Sequence, residues 1–154
     1  MLAAVLAAHP AARGVLFDQP GVVAGAAEVL RGAGVADRCE VVGGSFFEQV
    51  PEGGDAYMLK TVLHDWDDAE AGAILRNCRR AIGPGGALLV VERVVAPPNG
   101  DPVTKFSDLN MMVMTGGRER TEEEFAALLA GAGFRLDAVT STGTPICVIE
   151  GVPI

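Results

Sequence analysis

The feature that most constrains this chain is a regular alternation of short apolar runs with segments of helical periodicity. Gly14 to Asp18, Cys39 to Val42, Ala56 to Leu63 and Ala87 to Val91 all have the length and composition of buried strands. Helical patterns separate them. Pro20 suits a first helical position, and Val22, Val23, Ala26, Ala27, Val29 and Leu30 form one helical face that Gly32 and Gly34 end. Leu2 to His9 predicts an earlier helix. Asp67 or Asp68 can cap a later one, with apolar positions Ala71, Ile74, Leu75, Cys78 and Ile82 at helical spacing. Strand and helix in this order predict a doubly wound α/β sheet.

The rest of the chain completes the pattern. Gly83-Pro84-Gly85-Gly86 is a turn and Pro97-Pro98-Asn99-Gly100 a loop. Phe106 to Met114 predicts a Met-rich helix, and Met111, Met112 and Met114 fit a core there. Thr121 to Glu124 is a capping box that opens another helix, with Phe125, Leu128, Leu129 and Ala132 inward. Leu136 to Thr140 and Ile146 to Glu150 predict a closing hairpin around Gly143-Thr144-Pro145.

Composition excludes several classes. A formal net charge of −8 over 154 residues argues against a nucleic-acid partner, which needs clustered Lys and Arg. No apolar run has the length of a membrane span. The apolar stretch Met1 to Ala8 lacks a basic flank and is short for a signal peptide. Cys39, Cys78 and Cys147 show no metal-ligand spacing and read as reduced thiols of a cytoplasmic protein.

Three residues stand out chemically. His64 is one of two histidines and lies where the third apolar run gives way to a helix start. Ligands and reacting groups of open α/β sheets gather at such carboxyl ends of strands, and a histidine there can be a general base. Glu92 ends the fourth strand, and Glu119 just precedes the capped helix. Each also has a plainer reading: His64 as a structural histidine, Glu92 as a solvent-exposed strand end, Glu119 as an acid in a solvated loop. Asp65, Asp67 and Asp68 form an acidic cluster, for which capping fits better than a metal.

Asp18 ends the first apolar run, where nucleotide-binding α/β domains place an acid that grips ribose hydroxyls. It also fits a helix N-cap. The Gly-rich turn that accompanies such an acid lies about 20 residues earlier in those domains, which is before Met1 here. Gly32-Ala33-Gly34 and Gly131-Ala132-Gly133 end helices and precede strands, the reverse of the required order.

Five ordered segments carry a family resemblance: Val15-Leu16-Phe17-Asp18-Gln19-Pro20, Gly43-Gly44-Ser45-Phe46-Phe47-Glu48, Leu63-His64-Asp65-Trp66, Val91-Glu92-Arg93 and Gly116-Gly117-Arg118-Glu119-Arg120-Thr121. Across nearly its whole length the chain resembles S-adenosylmethionine-dependent O-methyltransferases, in the branch of plant phenolic and bacterial aromatic-polyketide enzymes. The resemblance implies a class I methyltransferase fold, a Rossmann-like doubly wound sheet whose last strand is antiparallel. It implies the C-terminal catalytic part of a longer, homodimeric enzyme, here residues 1–154, without the N-terminal helical domain, the central first strand and its Gly-rich loop.

By the same resemblance His64 matches the catalytic base, flanked and oriented by Glu92 and Glu119. Asp18 matches the ribose-binding acid, Phe46 an adenine-side contact and Lys60 a cofactor-side contact. Ser45 departs from the family's usual Asp beside the adenine. Asn110, Met111 and Met114 fall on a helix that lines the substrate site in the family. The implied reaction transfers a methyl group from S-adenosyl-L-methionine to a phenolic hydroxyl of a small aromatic substrate, with no metal required. The alternative is a non-catalytic methyltransferase-derived fragment that acts only in binding or assembly. A nicotinamide-dependent oxidoreductase is disfavoured by the absent Gly fingerprint.

Overall fold

The first two apolar runs pair with each other rather than with the later ones. In the computed structural model, which describes all residues from Met1 to Ile154, the chain forms two compact units, Met1–Pro51 and Glu52–Ile154. The first unit holds α1 (Leu2–Ala8), β1 (Gly14–Asp18), α2 (Pro20–Val23), α3 (Ala26–Gly32) and β2 (Cys39–Gly43). β1 and β2 are parallel, with Gly14 opposite Cys39 and Asp18 opposite Gly43. Parallel strands need a crossover, and α2 and α3 provide it. Leu6, Leu30, Val35 and Cys39 are the buried cluster, with Leu2, Ala12 and Leu16 packed against it. Arg38 ties the unit together by donating to the carbonyls of Leu6 and Ala12, both at 2.9 Å.

The single helix expected after Pro20 is two. Ala24 and Gly25 separate α2 from α3. Gly21 and Gly25 lie inside the predicted span, and each glycine costs a helix interior about 1 kcal/mol relative to alanine.

The second unit holds β3 (Ala56–Lys60), α4 (Asp68–Ala81), β4 (Ala87–Arg93), α5 (Pro102–Met114), α6 (Glu122–Gly131), β5 (Phe134–Ser141) and β6 (Ile146–Pro153). Its sheet runs β3-β4-β6-β5. β3 and β4 are parallel, and β6 is antiparallel to both its neighbours. The hairpin is as expected, with both strands longer. β4 lies inside the sheet and reads as a continuous apolar run because both of its faces are covered. Leu88 and Val90 of β4, Ile74 and Leu75 of α4, Phe125 and Leu129 of α6, Phe134 and Ile149 are all buried. No helix is long and apolar enough to cross a membrane. All three cysteines are free.

Two further expectations are corrected. The third apolar run stops being a strand at Lys60, not Leu63. Thr61 takes a φ of 50°, and a 3-10 turn follows at Leu63–Asp65. The methionines of α5 are not core filler: Met112 and Met114 are exposed and Met111 is half-buried. α5 meets its surroundings through Thr104 and the polar residues Ser107 and Asp108, which turns its apolar side outward.

Helix starts follow their caps. Asp67 caps α4 by accepting from Glu70 N at 2.9 Å. Thr121 and Glu124 form a reciprocal capping box on α6. Thr121→Ala is expected to lower stability by about 1 kcal/mol, read as a lower urea midpoint with an unchanged slope. An unchanged midpoint would show that the box adds nothing here.

Candidate functional site

The site is built where the chain leaves β3. Thr61 N still donates to Val91 O at 3.2 Å. The next two amides do not continue the ladder. Val62 N and Leu63 N donate to Glu92 Oε1 at 2.9 and 2.6 Å. Glu92 is 1% exposed, so the solvent-exposed reading of this strand end is overturned. Its carboxylate caps the 3-10 turn that carries His64.

The carbonyls of the turn are held from the other side. Arg120 donates from Nη1 to Leu63 O and from Nη2 to Trp66 O, each at 2.9 Å. It also donates from Nε and Nη2 to Asp68 Oδ1 at 2.9 and 2.8 Å. Arg118 N donates to His64 O at 2.9 Å. Gly117 lies against this backbone so closely that a Cβ would stand 2.0 Å from His64 O.

The imidazole is thereby presented to Glu119. His64 Nδ1 is 3.3 Å from Glu119 Oε1. Ser107 Oγ donates to that same oxygen at 2.7 Å, and Glu119 N donates to Asp108 Oδ1 at 2.8 Å. Glu119 is 2% exposed, which overturns the solvated-loop reading. Arg93 Nε lies 4.0 Å from Glu119 Oε1, and Asp65 Oδ1 is 3.7 Å from His64 Nε2. One nitrogen of His64 and one carboxylate oxygen each of Glu92 and Glu119 fall within 4.8 Å of one another. Glu92 acts on the imidazole through its charge, while its hydrogen bonds go to the turn.

Electrostatics follow from this arrangement. The Glu119 hydrogen bond raises the His64 pKa above 6.5 against the opposing effect of burial, and the charges of Glu92, Glu119 and Asp65 add to it. Burial raises the Glu92 pKa despite its bonds from Val62 and Leu63. For Glu119 burial also pushes upward. The hydrogen bonds from His64 and Ser107, with the charges of His64 and Arg93, outweigh it and leave the pKa lowered. In neutral His64 the ionised Glu119 favours the tautomer with Nδ1–H facing the carboxylate, which leaves the lone pair on Nε2.

The remaining predicted residues fall elsewhere. In the first unit Asp18, Ser45 and Phe46 gather at the carboxyl ends of β1 and β2, where Gly44 N donates to Asp18 O at 3.0 Å. Asp18 is exposed and does not cap α2, whose N-cap is Gln19. Its Oδ1 accepts from Gln19 N at 2.7 Å. Ser45 Oγ accepts from Phe47 N at 3.3 Å, and the rings of Phe46 and Phe47 meet edge-on at 5.0 Å. Lys60 ends β3 and is exposed, opposite Val91. Asn110 and Met114 are exposed on α5.

Among the residues at the site not singled out from sequence are Arg120, Gly117, Ser107 and Asp108. The first two lie within the segment Gly116 to Thr121, where Gly-Gly beside a charged run signals close backbone approach. Ser107 gives no signal in an exposed-looking amphipathic stretch.

The family model for the O-methyltransferase domain matches residues 1–135. The chain belongs to that family. It is 48% identical to the phenazine O-methyltransferase PhzM of Lysobacter antibioticus, over 100% of this chain and 45% of that protein. It is 44% identical to the mitomycin biosynthesis 6-O-methyltransferase of Streptomyces lavendulae, over 97% of this chain and 43% of that protein. Among solved structures it superposes with a TM-score of 0.91 on NcsB1, an O-methyltransferase of neocarzinostatin biosynthesis crystallised with S-adenosylmethionine and 2-hydroxy-5-methyl naphthoic acid. That match has 37% identity and covers 99% of this chain and 45% of the other. The chain thus spans less than half the length of the relatives it matches. The expected Rossmann-like methyltransferase fold is borne out.

Two outcomes test this geometry. Gly117→Ala puts a Cβ into backbone that cannot yield, so the turn must shift; expected are a lower urea midpoint and a changed His64 ring environment by NMR, and an unperturbed His64 would contradict the close approach. For pH, the raised His64 pKa means that its contact stabilises the fold fully below pH 6.5 and ceases to do so as pH rises through the folded value. Glu92, also raised, carries the same sign, but its loss begins from 4.5, below the range tested. Urea midpoints taken upward from pH 6.5 are expected to fall; a rise would contradict the sign.

Proposed function

We propose that this chain carries the catalytic base and much of the cofactor site of an S-adenosylmethionine-dependent O-methyltransferase that acts on the phenolic hydroxyl of a small aromatic acceptor. The observation that carries the reading is the His64 Nδ1–Glu119 Oε1 contact of 3.3 Å at the carboxyl end of β3, in a chain of this family. A phenol has a pKa of about 10, so a base must remove its proton at neutral pH. His64 Nε2 takes that proton, and Glu119 stabilises the imidazolium that results. Glu92 keeps the turn, and with it the ring, in place.

The residues fit the cofactor. The exposed Asp18 carboxylate, unused as a helix cap, suits ribose hydroxyls. Phe46 suits the adenine face and the Ser45 hydroxyl an adenine hydrogen bond; in the second unit, Lys60 is assigned a cofactor-side contact by the family resemblance alone. S-adenosyl-L-methionine supplies an activated methyl group bound to a sulfonium. What the chain adds is alignment of the acceptor oxygen, to which positioning contributes much of the acceleration. The half-buried Met111, with Asn110 and Met114, is assigned to the acceptor side. The second reading is a non-catalytic methyltransferase-derived fragment that acts only in binding or assembly.

Calorimetric titration of the chain with S-adenosylhomocysteine tests the first claim, and labelled methyl transfer to hydroxybenzoates and hydroxynaphthoates tests the second. Micromolar binding with turnover supports the enzyme reading. Binding without turnover keeps the cofactor assignment and removes the acceptors tried. No binding by a folded chain sinks the cofactor assignment and favours the fragment. His64→Ala is expected to reduce turnover roughly 10²- to 10⁴-fold with cofactor affinity kept, and unchanged turnover removes His64 as base. Because the imidazole must be neutral to accept a proton, kcat/KM should fall on the acid side with a midpoint above 6.5. A midpoint below that value contradicts the assigned partner.

A further inference from the structure

Glu119 Oε1 accepts two hydrogen bonds at once, from His64 Nδ1 at 3.3 Å and from Ser107 Oγ at 2.7 Å. The serine bond is the shorter. Ser107 and Asp108 are neighbours on α5, and Asp108 Oδ1 takes the Glu119 amide at 2.8 Å. One helix therefore holds Glu119 by its backbone and by its carboxylate. Two donors on one charged oxygen compete for the same electron density.

We propose that Ser107 is a positioning residue for the base: its hydroxyl holds Glu119 Oε1 beside the imidazole and, by sharing that oxygen, limits how tightly the carboxylate binds the imidazolium proton. The inference rests on His64 acting as the base. The charged groups around the pair come from several elements. Glu92 on β4 and Asp65 in the turn face His64, and Arg93 on β4 faces Glu119 at 4.0 Å. Ser107 is the neutral member of this set, so its removal changes hydrogen bonding without changing charge. With the hydroxyl gone, the carboxylate concentrates on His64. The imidazolium becomes more stable, and less neutral base is present at pH 7.

The test is an NMR titration of the two histidines in the ¹⁵N-histidine-labelled 154-residue chain, with exposed His9 as internal reference. Ser107→Ala is expected to raise the His64 midpoint by roughly 0.3 to 1 pH unit and leave His9 alone. Ser107→Thr keeps a hydroxyl and is expected to stay within about 0.2 unit of the unaltered chain, the size expected when the hydrogen bond persists. A His64 midpoint that stays or falls in the alanine variant overturns the proposal. So does an equal rise in both variants, which would assign the effect to packing rather than to the hydroxyl. The readout involves no turnover, so failure of His64 as the catalytic base would show in the His64→Ala assay and not here.

Discussion

The carboxylate of Glu92 is the group on which the site depends. It is buried at the end of β4, and a buried carboxylate is costly unless it is hydrogen-bonded. The amides of Val62 and Leu63 meet that need at Oε1, while Oε2 is buried without a hydrogen-bond partner. Those amides would otherwise extend the β3 ladder toward Leu63. The strand therefore ends where the acid takes over, and the chain turns through Thr61 with a positive φ that is uncommon outside glycine. His64 follows immediately and is aimed by the turn rather than by the sheet.

Arg120 completes the grip with opposite polarity. An acid holds the N–H side of the turn and a guanidinium holds its carbonyls. Arginine suits this because its donors form a planar fork that reaches two carbonyls and a carboxylate at once. Its partner Asp68 opens α4, and the next residue, Thr121, caps α6. The turn that presents the imidazole is thus fastened to the starts of two helices and the end of a strand. A site held on such elements keeps its geometry better than one carried by a free loop.

Much of this was legible in the chain. Period and caps located nearly every element, because buried faces repeat at fixed spacing and Asp67 and Thr121 mark helix starts chemically. The strand-end placement of His64 and the ordered motifs brought His64, Glu92 and Glu119 into one hypothesis. What could not be read was the division of work between the two acids. Whether Glu92 bonds the ring or the backbone depends on the tertiary placement of segments 30 residues apart, and no local pattern encodes that. The end of β3 was misplaced for the same reason: Thr61-Val62-Leu63 has good strand propensity, and a tertiary carboxylate overrides it. The methionines of α5 misled because an apolar helical face signals burial without saying against what.

The geometry also carries a tension. The bond from Glu119 that fixes the imidazole tautomer is the same bond that raises its pKa and so reduces the neutral base present near pH 7. Orientation and availability pull in opposite directions. A carboxylate left alone with His64 would favour orientation too strongly. Here Ser107 and Arg93 also face Glu119 Oε1, and the role proposed for Ser107 is to moderate its hold on the proton. Against the upward push of burial, the lowered pKa of Glu119 comes first from the His64 hydrogen bond and then from Ser107, with the His64 and Arg93 charges adding to it. For the proposed base, taking up a proton and releasing it calls for a partner held firmly in position but bonded only moderately to the ring.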